Sequence, residues 1–241
     1  MKIEDCIDTI LTGNCLEILP HLPDKSIDVI LTDPAWPGPT VGLQNKYDPV
    51  TDFRLMADQA ARLTDRLIIV LGQQIDPRLL QYVPKTLPFV TVVWLRYMPP
   101  RYRGPILNSA DLAYIFGHNR LPGNGQRVMP GEYYATHPHN YQTEAITIST
   151  GKRSGTGHPC NRPIAHAAML IKNFTRPGET ILDPFCGAGT FCLAARNLGR
   201  HYIGIEIDAD HALRARRWIR DETLFMDEKE TGLQGEQPGL L

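Results

Sequence analysis

Short apolar runs recur along the first half of the chain, and each ends near a Gly, Pro or Asp residue. Runs of this length with such boundaries are typical of strands buried within a sheet. They predict strands over residues 27–32, 67–71, 89–95 and 111–116. Between the first two strands, apolar residues at helical spacing predict a helix over residues 53–63.

The same alternation resumes in the last third of the chain. Residues 180–182 and 202–205 predict two further strands, and residues 190–198 predict the helix between them. A last helix is predicted over residues 208–220, with acidic residues near its start and Arg at its end, as the helix dipole favours. Strands that alternate with helices indicate an α/β fold with a mostly parallel sheet and helices on both faces.

Residues 97–157 depart from this pattern. Gly and Pro are frequent there and long periodic segments are few, and the stretch is too long for an ordinary connection, so we predict a functional insertion. Residues 226–241 are acidic and rich in Gly and Gln, which predicts a disordered tail. We therefore expect a single domain over residues 1–225 that carries the insertion.

Composition and charge restrict the partners, the kinds of site and the cellular location that we expect. The chain has 241 residues and a formal net charge of -1, so its overall charge does not single out a polyanionic partner. Its five Cys include no Cys-x-x-Cys pair, which argues against a disulfide framework and a metal site and predicts a reducing, cytoplasmic location. No apolar run approaches the roughly 20 residues that span a bilayer, so we expect no membrane association.

The segment after the strand at 180–182 has the composition of a ligand-binding turn. Asp183 leads into Pro184-Phe185-Cys186-Gly187-Ala188-Gly189-Thr190 and then into the predicted helix. The two glycines let the backbone approach a ligand closely, and the helix start presents free N–H groups. Glu206 ends the next strand, 23 positions after Asp183, where an acidic residue commonly holds a ribose diol.

The charge of this turn discriminates between cofactors. A dinucleotide would require a third glycine, and an acidic residue before the glycines suits a cation better than a pyrophosphate. The turn therefore predicts S-adenosylmethionine, whose sulfonium and ammonium groups are positive. The alternative is a tight β–α turn in an unrelated α/β protein, which would share the glycines without the acidic residues in register.

A second chemical segment follows the strand at 27–32. Asp33-Pro34-Ala35-Trp36 comes directly after it and would face the same crevice as the cofactor turn. Asp33 and the Pro34 carbonyl can accept both hydrogens of an exocyclic amino group, and proline holds the loop rigid. Trp36 offers a face on which a flipped base can stack. The alternative is a proline-rich strand exit with a buried Trp.

Basic and aromatic residues concentrate in and around the insertion. Six of the nine Tyr lie between residues 96 and 162, beside few acidic residues. Basic side chains neutralise phosphates and aromatic rings stack on bases, so the cluster predicts nucleic-acid binding, with an exposed loop and core tyrosines as the alternative. The predicted nucleic-acid contacts are Arg96, Arg101, Arg103, Arg120, Arg127, Lys152 and Arg153. Arg214, Arg216, Arg217 and Arg220 are interpreted instead as a solvated helix face.

The order of these motifs resembles the amino-group (N6-adenine/N4-cytosine) DNA methyltransferases of the permuted beta arrangement, in which an Asp-Pro-Pro-aromatic motif precedes the Gly-rich motif. The match covers roughly residues 10–36 and 158–208. The resemblance implies a Rossmann-like S-adenosylmethionine-dependent methyltransferase fold in which residues 97–157 form an inserted target-recognition region.

The resemblance also assigns residues to roles. It implies that Asp33, Pro34 and Trp36 are catalytic. It implies cofactor contacts at Asn14, His158, Asp183, Pro184, Phe185, Cys186, Gly187, Gly189, Thr190, Glu206 and Ile207. The chain departs from the family pattern at Ala35 in place of the second proline, Asn14 in place of Asp, and Arg162 in place of Lys.

The activity that the resemblance implies is methyl transfer to the exocyclic amino group of a flipped base in double-stranded DNA. Adenine N6 is favoured because Asp stands first in the catalytic motif, and cytosine N4 and RNA adenine stay open as targets. A DNA-binding protein that keeps the cofactor pocket without catalysis and a small-molecule N-methyltransferase are the alternative classes. A homodimer and a partner nuclease are left open.

Overall fold

The computed structural model describes residues 1–34, 48–72, 75–103, 106–117, 148–149 and 163–221, with the backbone alone for 97–103, 106–109 and 148–149. Its strands, within these ranges, form one eight-stranded sheet. The strands are β1 (Thr9–Thr12), β2 (Val29–Thr32), β3 (Arg66–Gly72), β4 (Phe89–Arg103), β5 (Ile106–Gly117), β6 (Ile148–Ser149), β7 (Thr180–Asp183) and β8 (His201–Glu206).

The sheet has the order β1-β8-β7-β2-β3-β5-β4-β6. The five strands from β1 to β3 in this order run parallel to one another. β5 is antiparallel to both β3 and β4, and β6 is parallel to β4. The prediction of a mostly parallel sheet is confirmed, and the structure adds the antiparallel β4–β5 hairpin.

Helices cover both faces of the sheet, as predicted. They are α1 (Cys15–Ile18), α2 (Pro49–Leu63), α3 (Ile164–Phe174), α4 (Thr190–Asn197) and α5 (Ala209–Asp221), with short 3-10 helices at Ile3–Asp5, Leu19–His21 and Pro77–Tyr82. Alternate residues of a strand point to opposite faces. Leu31 accordingly packs in one apolar cluster with α3, α4 and α5, whereas Ile30 packs in a second cluster with α1 and α2.

Several elements extend beyond or lie outside the sequence-based predictions. β4 ends at Arg103 and β5 begins at Ile106, beyond the predicted strand bounds. The first part of the predicted insertion is therefore a hairpin of the main sheet. β1 and α3 were not predicted as elements. The predicted disordered tail at residues 226–241 lies outside the described residues. No helix in the described ranges is long and apolar enough to cross a membrane.

Candidate active site

Four neighbouring strands bring the predicted cofactor and catalytic residues to one edge of the sheet. Asn14 follows β1 by two residues, Glu206 ends β8, Asp183 ends β7 and Asp33 directly follows β2. These strands are consecutive in the sheet and parallel, so their carboxyl ends lie at the same edge. Adjacent strands are about 4.8 Å apart, which places all four backbone positions within roughly 15 Å.

The predicted cofactor turn is fixed to β8 by its backbone amides. Cys186 N donates to the carbonyl of Ile205 at 2.9 Å. Gly187 N donates to the Oε2 atom of Glu206 at 2.9 Å. The φ of Gly187 is +51°, a left-handed conformation that favours glycine. The turn and the acidic residue at the end of the next strand therefore form one hydrogen-bonded unit.

Gly189 serves packing as well as the turn. Its φ of +82° is left-handed. A Cβ there would lie 3.2 Å from the Cβ of Ala215 and 3.3 Å from the Cδ1 atoms of Ile10 and Ile219. The missing side chain thus lets α5 and β1 approach the start of α4. A contact from Gly189 to a ligand would have to come from its backbone.

The two cysteines of this region face the core. Cys186 and Cys192 are 6% and 1% exposed. Both Sγ atoms face Gly204 of β8, where an added Cβ would lie 3.0 Å and 2.9 Å from them. The neighbouring Cys192 and burial raise the pKa of the Cys186 thiol. Both sulfurs pack within the core. The predicted cofactor contact at Cys186 would therefore be made by its backbone.

A direct hydrogen bond joins the two motifs across 151 residues of sequence. Thr32 Oγ1, at the end of β2, donates to the Oδ1 atom of Asp183 at 2.8 Å. The same Oδ1 accepts from Phe185 N at 3.2 Å. Thr32 is fully buried and Asp183 is 2% exposed. The residue before the catalytic segment and the first residue of the cofactor turn are thereby held together.

The electrostatics of this edge favour a bound cation. Burial, together with the charges of Asp33 and Glu206, raises the pKa of Asp183 to about 7, against the hydrogen bonds from Thr32 and Phe185 N that lower it. Asp183 therefore lies within electrostatic range of two other carboxylates in a buried setting. A positive ligand at this edge would stabilise the ionised form of Asp183.

Glu206 and Asn14 already have partners within the protein. Besides Gly187 N, Glu206 accepts from Asp208 N through Oε1 at 2.9 Å. Asn14 caps α1, with its Oδ1 accepting from Leu16 N at 3.0 Å. A carboxylate has about four acceptor positions and an amide oxygen has two. Both side chains are thus oriented by the backbone and keep acceptor positions for a ligand.

A sequence model of the N6_N4_Mtase family, described as DNA methylase, matches residues 80–216. This match covers more than half of the chain, including the cofactor turn and Glu206. The chain belongs to the N6/N4 DNA methylase family. The Type II methyltransferase M.HinfI of Haemophilus influenzae is 25% identical to this methylase over 261 residues, covering 91% of this chain and 70% of M.HinfI.

Solved structures agree with the fold of the methylase. The cytosine-N4-specific PvuII DNA methyltransferase has a TM-score of 0.66 at 16% identity, over 92% of this chain and 89% of that one. TTHA0409 of Thermus thermophilus, solved in complex with S-adenosyl-L-methionine, has a TM-score of 0.62 at 22% identity, over 88% of this chain and 92% of that one. The likeness confirms the Rossmann-like methyltransferase fold.

The remaining predicted cofactor residues of the methylase differ in their exposure. Pro184 and Thr190 are buried, and Phe185 is partly buried against the cluster that contains α2. Ile207 is 45% exposed directly after Glu206, which leaves an apolar surface beside the acidic group. His158 lies outside the described residues.

The predicted catalytic and nucleic-acid residues of the methylase are described in part. Asp33 is partly exposed and Pro34 is buried, whereas Trp36 lies outside the described residues. Arg96 is exposed on β4. The backbone of β4 includes Arg101 and Arg103. Arg120, Arg127, Lys152 and Arg153 lie outside the described residues. Within the described ranges, no group of three His, Cys, Asp or Glu residues could hold a metal ion.

Two residues that matter to the site were not singled out by sequence reasoning. Thr32 was the last residue of a predicted strand, and its position directly before Asp33 was the available signal. Arg216 is exposed, in keeping with the predicted solvated helix face, and in addition its Nε donates to the carbonyl of Ile10 in β1 at 2.8 Å and its guanidinium contacts Thr12. Arg216 therefore joins α5 to the edge strand that leads into Asn14.

Proposed function

We propose that this methylase transfers a methyl group to the N6 amino group of adenine in double-stranded DNA. The observation that carries the proposal is the position of Asp33 and Pro34 beside the cofactor turn, joined through the Thr32–Asp183 hydrogen bond. The cofactor is S-adenosylmethionine, which supplies an electrophilic methyl group on a sulfonium centre.

The described residues fit that cofactor. The Asp183 carboxyl lies within electrostatic range of both Asp33 and Glu206, an arrangement that suits a ligand with two cationic groups. Glu206 is held by Gly187 N and Asp208 N with acceptor positions to spare for ribose hydroxyls. Ile207 would provide apolar contact for the adenine ring of the cofactor.

The catalytic step requires the amino nitrogen of the base to expose a lone pair that is delocalised into the ring. We propose that Asp33 and the Pro34 carbonyl accept its two hydrogens, which favours a pyramidal nitrogen aimed at the methyl group. Pro34 is buried and its ring fixes φ, which restricts the backbone between the two acceptors. Trp36 is proposed to stack on the flipped base.

Target recognition is proposed to reside in residues 97–157, as the inserted region of one domain spanning residues 1–225. The exposed side chain of Arg96 lies on β4, the strand that leads into this region. The contacts to DNA phosphates or bases are proposed at Arg96, Arg101, Arg103, Arg120, Arg127, Lys152 and Arg153. The described Cys6, Cys15, Cys186 and Cys192 are free thiols, in keeping with a proposed cytoplasmic location.

Cytosine N4 is the second candidate target. It is favoured by the structural likeness to the cytosine-N4-specific PvuII enzyme. Adenine is preferred because the catalytic motif begins with Asp33, whereas the resemblance places Ser more often at that position in cytosine-N4 enzymes.

A nucleoside digest of DNA from cells that express the methylase tests this choice. Chromatography and mass spectrometry of the digest should show N6-methyladenine, and DNA from cells that express Asp33→Ala should not. A digest that contains N4-methylcytosine and no N6-methyladenine would show that the target is cytosine N4. A digest without either base, from cells that contain the folded protein, would overturn the proposal.

A further inference from the structure

The hydroxyl of Thr32 links the catalytic segment that begins at Asp33 to the cofactor turn that begins at Asp183. It lies at the end of β2, one residue before Asp33, and its hydrogen bond reaches the residue that opens the cofactor turn. β2 and β7 pair in parallel with Val29 opposite Ile181 and Ile30 opposite Leu182, so the bond lies just beyond the paired residues, at the carboxyl ends of these strands.

The bond is stronger than an ordinary surface contact. Thr32 has no exposed surface and the acceptor is a buried carboxylate. A hydrogen bond to a charged group contributes more than a neutral one, and a buried acceptor that loses its donor bears the desolvation cost. The Thr32 hydroxyl favours the charged state of Asp183, since its donation lowers the pKa of that carboxyl.

We propose that Thr32 is a positioning residue that orients the Asp183 carboxylate for the cationic cofactor and keeps the start of the Asp33–Pro34 segment aligned with the cofactor turn. The inference rests on the proposed function, because S-adenosylmethionine is the ligand that Asp183 would face. Thr32 does not touch the reacting atoms, and its effect reaches the cofactor through Asp183.

The surroundings of Asp183 define the expected pH behaviour. The charged groups that influence it are Asp33 after β2 and Glu206 at the end of β8. The Asp183 carboxylate in turn raises the pKa of the nearby thiols of Cys15 in α1 and Cys186 in the turn. Without the Thr32 hydroxyl, the pKa of Asp183 rises further. The pH at which the free protein acquires the negative charge that binds the cofactor should therefore shift upward.

Isothermal titration calorimetry of the whole protein with S-adenosylmethionine, from pH 6 to pH 9, tests this role. Thr32→Val keeps the shape and removes the hydroxyl. It should bind the cofactor about tenfold more weakly at pH 7, with a smaller difference at pH 9, because the midpoint of the pH profile has moved up. Thr32→Ser should restore the midpoint of the unmodified protein. Thr32→Cys, a weak donor, carries the test if Thr32→Val does not fold.

Thr64→Val is the matched control. Thr64 is also fully buried, and its Oγ1 donates to the carbonyl of Asp28 at 2.9 Å, near the amino-terminal ends of β2 and β3. Thr64→Val should lower the melting temperature of the protein without moving the pH midpoint of cofactor binding. An unchanged pH midpoint in folded Thr32→Val, or an equal shift in Thr64→Val, would overturn the positioning role alone. Failure of the unmodified protein to bind the cofactor at any pH would overturn the proposed function itself.

Discussion

The carboxyl group of Asp183 illustrates how one residue can connect folding and ligand binding. Burial, together with the charges of Asp33 and Glu206, raises its pKa to about 7, whereas hydrogen bonds from Thr32 and Phe185 N oppose that rise. The free protein therefore holds this carboxyl largely protonated below pH 7 and ionised above it. A cationic cofactor binds the ionised form better, because Coulomb attraction is strong where water is excluded.

Cofactor affinity should consequently depend on pH. Below about pH 7, cofactor binding releases one proton. The affinity should therefore fall roughly tenfold for each unit by which the pH is lowered, and it should be constant above about pH 8. Titration calorimetry in buffers of different ionisation enthalpy measures both the affinity and the proton released. S-adenosylhomocysteine, which lacks the sulfonium charge, should show a shallower dependence.

Asp183→Asn is the variant that isolates this carboxyl. It should bind S-adenosylmethionine at least tenfold more weakly at pH 8 and lose most of the pH dependence between 6 and 8, since the amide does not ionise. An affinity in the unmodified protein that is flat from pH 6 to pH 8 would contradict the assignment of Asp183 to the cationic ligand.

Among the elements, β8 shapes the cofactor turn through Gly204. A Cβ at this position would lie 2.9 Å from the sulfur of Cys192, closer than real Cβ contacts allow, and 3.0 Å from Cys186 Sγ and Ile10 Cγ1, tighter than most such contacts. The glycine lets the turn and the start of α4 pack flat on the strand. Glu206 follows two residues later, so this packing also sets the position of the acidic group.

Gly204→Ala should therefore destabilise the protein by about 1–3 kcal/mol, as overpacking of a filled core does. Urea denaturation followed by circular dichroism measures the change. Gly72→Ala is the control, because a Cβ at Gly72 in β3 would lie 3.4 Å from Ile75, an ordinary contact. Equal stability of the two variants would contradict the packing that the structure shows around Gly204.

The edge strand β1 depends on α5 through Arg216. Its guanidinium satisfies the Ile10 carbonyl, and an unpaired backbone acceptor at a sheet edge is otherwise open to water or to another chain. Arg216→Ala should cost about 1 kcal/mol in the free energy of unfolding. Arg214→Ala, an exposed neighbour on the same helix, should cost less than about 0.5 kcal/mol. Equal costs in urea denaturation would show that the contact to β1 contributes nothing.

The elements that sequence reasoning predicted are those with a clear period or a clear boundary. β2, β3, β7 and β8 are apolar runs with sharp ends, and their observed bounds differ from the predicted ones by at most two residues. α3 was missed because eight of its residues are buried, so it lacks the polar face that identifies an amphipathic helix. The extension of β4 was missed because Pro99 and Pro100 have no N–H for the ladder.

The structure accommodates these prolines by an irregularity. The pairing of β4 with β5 shifts register between Arg96 and Arg101, which spans both prolines. A bulge is one of the few places where a strand tolerates proline. The strand resumes afterwards, so the sheet reaches into the segment that the sequence marked as an insertion.

At the scale of the whole molecule, the site arises from the order of strands. β1, β8, β7 and β2 are neighbours in the sheet although β2 and β7 are far apart in sequence. Motif chemistry predicted that Asp33, Asp183 and Glu206 share a crevice. It could not predict the Thr32–Asp183 bond, because a hydrogen bond across 151 residues depends on the register of two strands.

The central claim is that Asp33 serves methyl transfer to DNA and contributes little to cofactor affinity. Incorporation of tritiated methyl from S-adenosylmethionine into DNA measures this directly, beside cofactor binding by the same protein. Asp33→Ala should lose at least a hundredfold in incorporation while cofactor affinity changes by less than about tenfold. Asp58→Ala, an exposed carboxylate on α2, should leave both unchanged. Full incorporation by Asp33→Ala, or none by the unmodified protein that binds the cofactor, would contradict the claim.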